Sequence, residues 1–254
     1  MPLIAMISDI HANLEGLEAI LADIDRQHGV EAIYCLGDLV GYGPDPEAVI
    51  DLVSRRCASV LMGNHDFALL HEPVGFNRIA AAAIRCQRSF MDPQLYPDED
   101  KQNRWNFLAS LKTEEWLGDD LLVHASPRDK MFEYILAEDT VNNHRKLEAI
   151  FAMLRQRCYI GHTHRPGIIT SELRWYSDRD LNYEYRFRGA EKAIVNVSSA
   201  GQPRDRDPRV CYALVDGERI RWRRVAYDVE KTARKVADCP CLDSICGERL
   251  RQGK

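Results

Sequence analysis

No stretch of this chain approaches the roughly 18 consecutive apolar residues that a membrane-spanning helix requires. Positive charge is not in excess either: 34 Lys and Arg stand against 39 Asp and Glu, a net charge of -5. No strong field therefore draws the chain to a nucleic-acid backbone or an anionic membrane, and neither partner is expected. The opening Met-Pro-Leu-Ile-Ala-Met-Ile-Ser-Asp lacks a basic leader before its apolar run, so it does not read as a secretory signal. Internal repeats and low-complexity linkers are missing as well. Of the eight cysteines, Cys35, Cys57, Cys86, Cys158 and Cys211 sit singly among apolar residues. That pattern suits reduced, buried thiols in a cytosolic protein, and a cytoplasmic location is the expectation. The other three, Cys239, Cys241 and Cys246, crowd the end of the chain. Structural zinc wants four ligands with wider Cys spacing, so a reduced or incidentally oxidised tail is expected there.

What the chain does contain is alternation. Leu3 to Ser8, Ala32 to Leu36 and Ser59 to Met62 read as short buried strands. Between them, Leu14, Leu17, Leu21 and Ile24 mark one helix face, with Asn13 as its N-cap, and Pro44 to Glu47 opens a second helix. This βαβαβ order predicts neighbouring parallel strands covered by helices. Helices follow over Ile79–Phe90, Asn103–Leu111 and Leu147–Leu154, with strands at Leu121–Val123 and Tyr159–Ile160. The last third turns to strand-like segments near 167–170, 173–177, 182–187, 193–198, 210–215 and 219–226, with Asp216-Gly217 as a hairpin turn. The expected division is an α/β domain over 1–227 and a helical, Cys-containing tail over 228–254.

The strand ends carry the chemistry. Leu3–Ser8 runs into Asp9-Ile10-His11, the second strand into Gly37-Asp38, and the third into Gly63-Asn64-His65-Asp66. Leu121–Val123 ends in His124, and Tyr159-Ile160 in Gly161-His162-Thr163-His164. Sites in open α/β sheets form at the carboxyl ends of strands, so five ends can bring these side chains together. Imidazole, carboxylate and carboxamide oxygen suit Mn, Fe, Zn, Ni or Co. Side chains two apart on extended chain share a face, so Asp9 with His11, and His162 with His164, are each expected to point one way. Singly, such an Asp or Asn is more often a turn or cap, and such a His a surface or core residue. Yet five of the eight histidines fall in these motifs, and only His28, His71 and His144 do not.

Taken in order, Asp9-x-His11, Gly37-Asp38-x-x-Gly41, Gly63-Asn64-His65-Asp66, His124 and Gly161-His162-x-His164 resemble the signature of the calcineurin-like metallophosphoesterases. The resemblance spans about residues 3 to 227. It is nearest to the small bacterial and archaeal phosphodiesterase branch described as similar to diadenosine tetraphosphatases, whose late motif the stretch Gly201-Gln202-Pro203-Arg204-Asp205-Arg206-Asp207-Pro208-Arg209 resembles. The resemblance implies a four-layer αββα sandwich: two mixed β-sheets with helices outside. It implies two divalent metal ions, one on Asp9, His11 and His164, the other on Asn64, His124 and His162, with Asp38 bridging. A bridging hydroxide would attack phosphorus directly, without a covalent intermediate. His65 would donate to the phosphate or the leaving oxygen, with Asp66 as its orienter or else a helix cap. Arg204 and, more weakly, Asn13 are candidate phosphate contacts; Tyr42, Phe76 and Asn77 are candidate pocket walls.

The expected activity is hydrolysis of a phosphodiester or phosphomonoester of a nucleotide-like small molecule. Three rivals stand beside it. A non-catalytic scaffold on the same fold would have degraded ligand positions, whereas here all are intact. A protein serine/threonine phosphatase would carry an acid and an arginine after the second motif, where this chain has Val40-Gly41-Tyr42-Gly43. A nuclease would call for a basic groove.

Overall fold

The computed structural model describes residues 2–254. The first half contains β1 (Leu3–Ile7), α1 (Leu14–Asp25), β2 (Val30–Cys35), α2 (Pro46–Arg56), β3 (Ser59–Val60), α3 (Asn64–Leu70), α4 (Arg78–Met91) and α5 (Glu99–Ala109). Next come β4 (Glu114–Leu117), β5 (Asp120–Val123), α6 (Asp139–Asn142), α7 (His144–Met153), β6 (Arg157–Ile160), β7 (Gly167–Thr170), β8 (Trp175–Ser177) and β9 (Glu184–Arg186). The chain closes with β10 (Ala193–Asn196), β11 (Val210–Val215), β12 (Arg219–Val225), α8 (Val229–Asp238) and α9 (Ile245–Gln252).

The layers follow from side-chain parity. Successive residues of a strand face opposite sides of its sheet, and in β1 both sides are apolar. Ala5 and Ile7 pack with Leu17, Ile20 and Ile24 of α1 and Val49 and Val53 of α2. Ile4 and Met6 turn the other way, onto Leu122 of β5, Tyr159 of β6 and Val195 of β10. Those three strands belong to a second sheet, whose far side packs through Val123, Cys158 and Ile194 against Leu147, Ile150 and Phe151 of α7. Strands buried on both faces read as near-continuous apolar runs, which is why these segments show little alternation. The result is the expected four-layer αββα sandwich. One sheet runs β3-β2-β1-β11-β12-β9 and the other β4-β5-β6-β10-β7-β8. Both are mixed: β1, β2 and β3 are mutually parallel, as are β5, β6 and β10, and the remaining pairings are antiparallel.

Several local expectations hold. The Asn13 side chain accepts from the Gly16 N–H and caps α1, and Asp216-Gly217 joins β11 to β12 with Gly217 at φ 87°. Other details differ. The third strand covers only Ser59–Val60, because the chain leaves the sheet early and Asn64 already begins α3. β4 went unpredicted, since the half-exposed Glu-Glu-Trp-Leu of an edge strand has no apolar alternation. Among the described residues no helix is long and apolar enough to cross a membrane.

The tail wraps back onto the sandwich. Thr232 of α8 donates to the Asn13 and Glu15 side chains, and Lys235 pairs with Glu15 at 2.6 Å and Asp45 at 2.8 Å. A disulfide joins Cys241 to Cys86 of α4, 155 residues away in sequence. This corrects the reading of Cys86 as an isolated thiol: Cys239 and Cys241 approach it only once α8 has folded back, which spacing does not reveal. The buried, unpaired thiols are Cys35, Cys158, Cys211 and Cys246. Closing so long a loop restricts the unfolded chain, so Cys86→Ser should cost roughly 2–4 kcal/mol. Thermal melts should show dithiothreitol lowering the midpoint of the native chain and leaving that of the variant where it is.

Candidate metal centre

The site begins where the parallel strands stop. Asp9, His11, Asp38, His162 and His164 all lie beyond the last strand residue, at φ 55°, 49°, 57°, 64° and 58°. The shared-face argument for Asp9 with His11 and for His162 with His164 therefore fails, because neither pair is on extended chain. Left-handed turns aim these side chains instead. That conformation costs a residue with a Cβ roughly 1–2 kcal/mol, and such strain concentrates at functional sites. Interlocking backbone bonds hold it in place. Asp9 N–H donates to Gly37 O at 2.9 Å, Ile10 and His11 N–H both donate to Asp38 O at 2.9 Å, and Ala12 N–H donates to Leu39 O at 2.7 Å. The His162 N–H caps the Asp9 carboxylate at 3.0 Å, tying the end of β6 to the end of β1 across the two sheets.

The turns bring distant residues into two overlapping groups. Asp9, His11, Asp38 and His164 present ligand atoms within 4.8 Å of one another, and so do Asp38, His124 and His162. Asp38 belongs to both. Its carboxylate lies 3.6 Å from His11 Nε2 and 3.4 Å from His124 Nε2. Asn64 Oδ1 is 3.1 Å from His124 Nε2, which places the carboxamide beside the second group. All seven side chains are buried.

The imidazoles are oriented from behind. His11, His124 and His164 each hold a backbone carbonyl through Nδ1: Val40 at 2.9 Å, Leu36 at 2.9 Å and Gln202 at 2.5 Å. That leaves Nε2 facing inward. His162 is reversed, with Nε2 against the Phe132 carbonyl at 3.2 Å. Such backing fixes the tautomer of a metal-binding histidine. The Nε2 atoms of His11 and His164 meet at 3.2 Å, two donors converging on one point.

Electrostatics fits a cation. Burial works against charge on Asp9, yet His164 outweighs it and holds the carboxyl well below its usual range. Asp38 is held down in the same way, by His124 and His65 against burial. Burial pushes His162 down to about 3 and lowers His11 and His164. His124 alone is raised, to about 9: burial opposes its charge, but the charge and hydrogen bond of Asp38, with Asp9 behind, prevail. Two ionised carboxylates among mostly neutral imidazoles form a donor set for borderline divalent cations.

A cavity of about 460 Å³ opens over this cluster, lined by Asp38, Asn64, His65, His162, His164 and Arg204 together with Tyr42, Phe76, Asn77, Phe132 and Tyr134. His65 stands at its wall, edge-on to His11 and Phe76. Burial drives its imidazole down to about 4 against the pull of Asp38, with Arg204 adding to the effect. Asp66 does not orient His65. Its carboxylate accepts the N–H groups of Asp38, Leu39, Val40 and Gly63, so it serves as a cap and a clasp on the Gly37–Gly41 turn. Asn13 is not positioned for phosphate either. It lies behind the cluster, its oxygen capping α1 and its amide donating to Gly201 O at 2.8 Å and to Tyr227. Arg204 does reach the cavity, steadied by Gln202 Oε1 at 2.8 Å and lying over the Tyr42 ring. Phe132 and Tyr134 went unanticipated, since lone aromatics in a polar loop give no signal. The same is true of Gln87, whose side chain accepts from Gly41 N–H and donates to Gly43 O, holding the turn that carries Tyr42.

An αββα sandwich with buried carboxylates and imidazoles at its strand ends is the architecture of a metal-dependent hydrolase, and comparison with known proteins narrows this. A family model for calcineurin-like phosphoesterases matches residues 2–195. The chain belongs to the calcineurin-like phosphoesterase family and is a metal-dependent phosphoester hydrolase. It is 32% identical to a metallophosphoesterase from Sphaerobacter thermophilus whose crystal structure covers 99% of both chains with a TM-score of 0.80. A protein of Methanocaldococcus jannaschii of uncharacterized function is 32% identical over 99% of this chain and 98% of its own. A symmetrical bis(5'-nucleosyl)-tetraphosphatase of Acidovorax is 31% identical over 60% of this chain, and the match spans 54% of that enzyme.

Close packing behind the ligands makes one substitution informative. A Cβ at Gly161 would overlap Ser8 Oγ and the Asp9 carboxylate. Gly161→Ala should displace Asp9 and weaken Mn²⁺ binding roughly 10- to 100-fold by calorimetric titration, with an unchanged far-UV circular dichroism spectrum.

Proposed function

We propose that this chain holds two divalent cations and hydrolyses a phosphodiester or phosphomonoester of a nucleotide-like small molecule. The observation that carries the reading is the membership of Asp38 in both donor groups. Asp9, His11 and His164 would complete one site, and Asn64, His124 and His162 the other. Bound there, a pair of cations lowers the pKa of coordinated water toward roughly 7 and withdraws charge from phosphoryl oxygens.

The remaining roles fall to the chain itself. Asp38 would be shared by the two sites, and its carboxylate is oriented between them by the His65 backbone N–H, which donates to it at 2.8 Å. His65, neutral at pH 7, donates a hydrogen bond to a phosphate oxygen or to the oxygen that leaves. Arg204, propped by Gln202, offers a planar guanidinium to the non-bridging oxygens. In this reading water attacks phosphorus directly and no covalent intermediate forms. A nucleotide-like substrate is supported by the aromatic walls Tyr42, Phe76, Phe132 and Tyr134, and by the partial match to the tetraphosphatase.

Purified protein loaded with Mn²⁺ should cleave bis(p-nitrophenyl) phosphate and lose that activity to EDTA. Metal-loaded protein that hydrolyses no phosphoester would instead favour the scaffold. His65→Ala should reduce kcat by about 10²- to 10⁴-fold while a calorimetric Mn²⁺ titration stays as in the native chain. Loss of Mn²⁺ binding in that variant would show His65 to be a ligand rather than a donor to substrate.

A further inference from the structure

Beside the metal centre lies a second, larger cavity of about 620 Å³ that shares Tyr42, Asn77, Tyr134 and Arg204 with the first. Its lining is basic. Arg165, Arg204, Arg206, Arg249 and Lys254 border it against a single carboxylate side chain, Glu248. The whole chain has a net charge of -5, so this patch runs counter to the average. Arg165 is partly neutralised by Glu138 at 3.6 Å. Among the described residues no ion pair engages Arg204, Arg206, Arg249 or Lys254; Arg204 instead contacts Gln202 and Tyr42, and Lys254 donates to Gln252.

Part of this charge has a plain explanation, since basic residues favour the last turn of a helix such as α9. That accounts for Arg249 but not for the rest. Arg165 follows the His162-x-His164 turn, and Arg204 and Arg206 come from the loop before β11. One backbone contact joins two of these elements: Arg206, left-handed at φ 65°, donates its N–H to Gly253 O at 2.8 Å, latching that loop to the end of α9. Arginines from separate elements around one cleft suit bidentate binding of phosphate.

We propose that the annex is a second anion subsite, taking a phosphate group on the same molecule whose scissile phosphate lies over the Asp38 cluster. This rests on the phosphoesterase reading and narrows its substrate to compounds bearing at least two phosphates on one small scaffold. Tyr42 and Tyr134 stand at the shared mouth, where the unit joining the phosphates would lie. The tail thereby supplies specificity from outside the matched family region, through Arg249 and Lys254.

The test is competition against bis(p-nitrophenyl) phosphate hydrolysis by the Mn²⁺-loaded enzyme. Adenosine 3',5'-bisphosphate should inhibit at a concentration about tenfold below that of AMP, the worth of one good charge-assisted contact. The gap should close in Arg249→Ala and in Arg206→Ala, and persist in Arg174→Ala, an exposed arginine of the β7–β8 turn that lines neither cavity. It should also shrink between 50 and 300 mM salt by roughly the screening of exposed charges. Equal inhibition by AMP and the bisphosphate, or a gap that survives both variants, overturns the subsite and leaves the phosphoesterase reading standing. An octamer of thymidylate that competes better than the bisphosphate would assign the cleft to a polynucleotide backbone and overturn it too. Absence of any bis(p-nitrophenyl) phosphate hydrolysis would sink the underlying reading instead.

Discussion

A buried carboxylate, that of Asp38, stands within 3.6 Å of imidazoles from two different groups, and much of the fold is arranged around keeping it there. An ionised carboxylate taken out of water is costly unless opposite charge or hydrogen-bond donors meet it. Here the His65 N–H and the surrounding imidazoles do so, and a raised His124 carries the compensating proton. A divalent cation held there would replace that proton with a stronger positive charge. The same desolvation that makes the cluster expensive in a bare chain would strengthen its attraction for a cation.

Strain is stored beside this charge. Five of the proposed ligands sit at left-handed φ, a conformation their Cβ atoms disfavour. They stay there because both sheets brace them: β1 and β2 exchange backbone bonds through the Asp9–Ala12 and Gly37–Leu39 turns, while the His162 N–H reaches across to Asp9. Asp66 pins the middle of this assembly with one carboxylate on four N–H groups. Gly63 is required for a related reason, since a Cβ there would overlap the Asp38 carboxylate. The ligands are thus preorganised by backbone, with little left to side-chain freedom.

Around this rigid floor the upper walls come from loops and from the tail. Phe132 and Tyr134 hang over the centre from the segment after β5, and α9 adds its basic side chains at the far end. The disulfide to α4 and the Lys235 pairs fasten the tail to the sandwich. Chemistry and selectivity are thereby divided between strand ends and later elements, which is the ordinary way one fold hosts many substrates. A net charge of -5 gives no sign of a basic groove, because net charge is a sum and says nothing about where the charges gather.

Much of the molecule was legible in the chain itself. Short apolar runs ending in Asp, His and Asn showed where the parallel strands of the first half stop and which side chains gather there, because strand burial and ligand chemistry both restrict residue type locally; the four layers and the division of seven side chains between two metals came from the resemblance those motifs carry. The helix cap of Asn13 was readable for the same reason. Tertiary structure alone decided how the ligands are aimed, through left-handed turns rather than strand pleat, since φ at a non-glycine residue is set by its surroundings. It alone decided the partner of Cys241, the role of Asp66 and the gathering of Arg204, Arg206 and Arg249 around one cleft. Those are meetings between residues tens to hundreds of positions apart, and nothing in a linear sequence encodes distance through space.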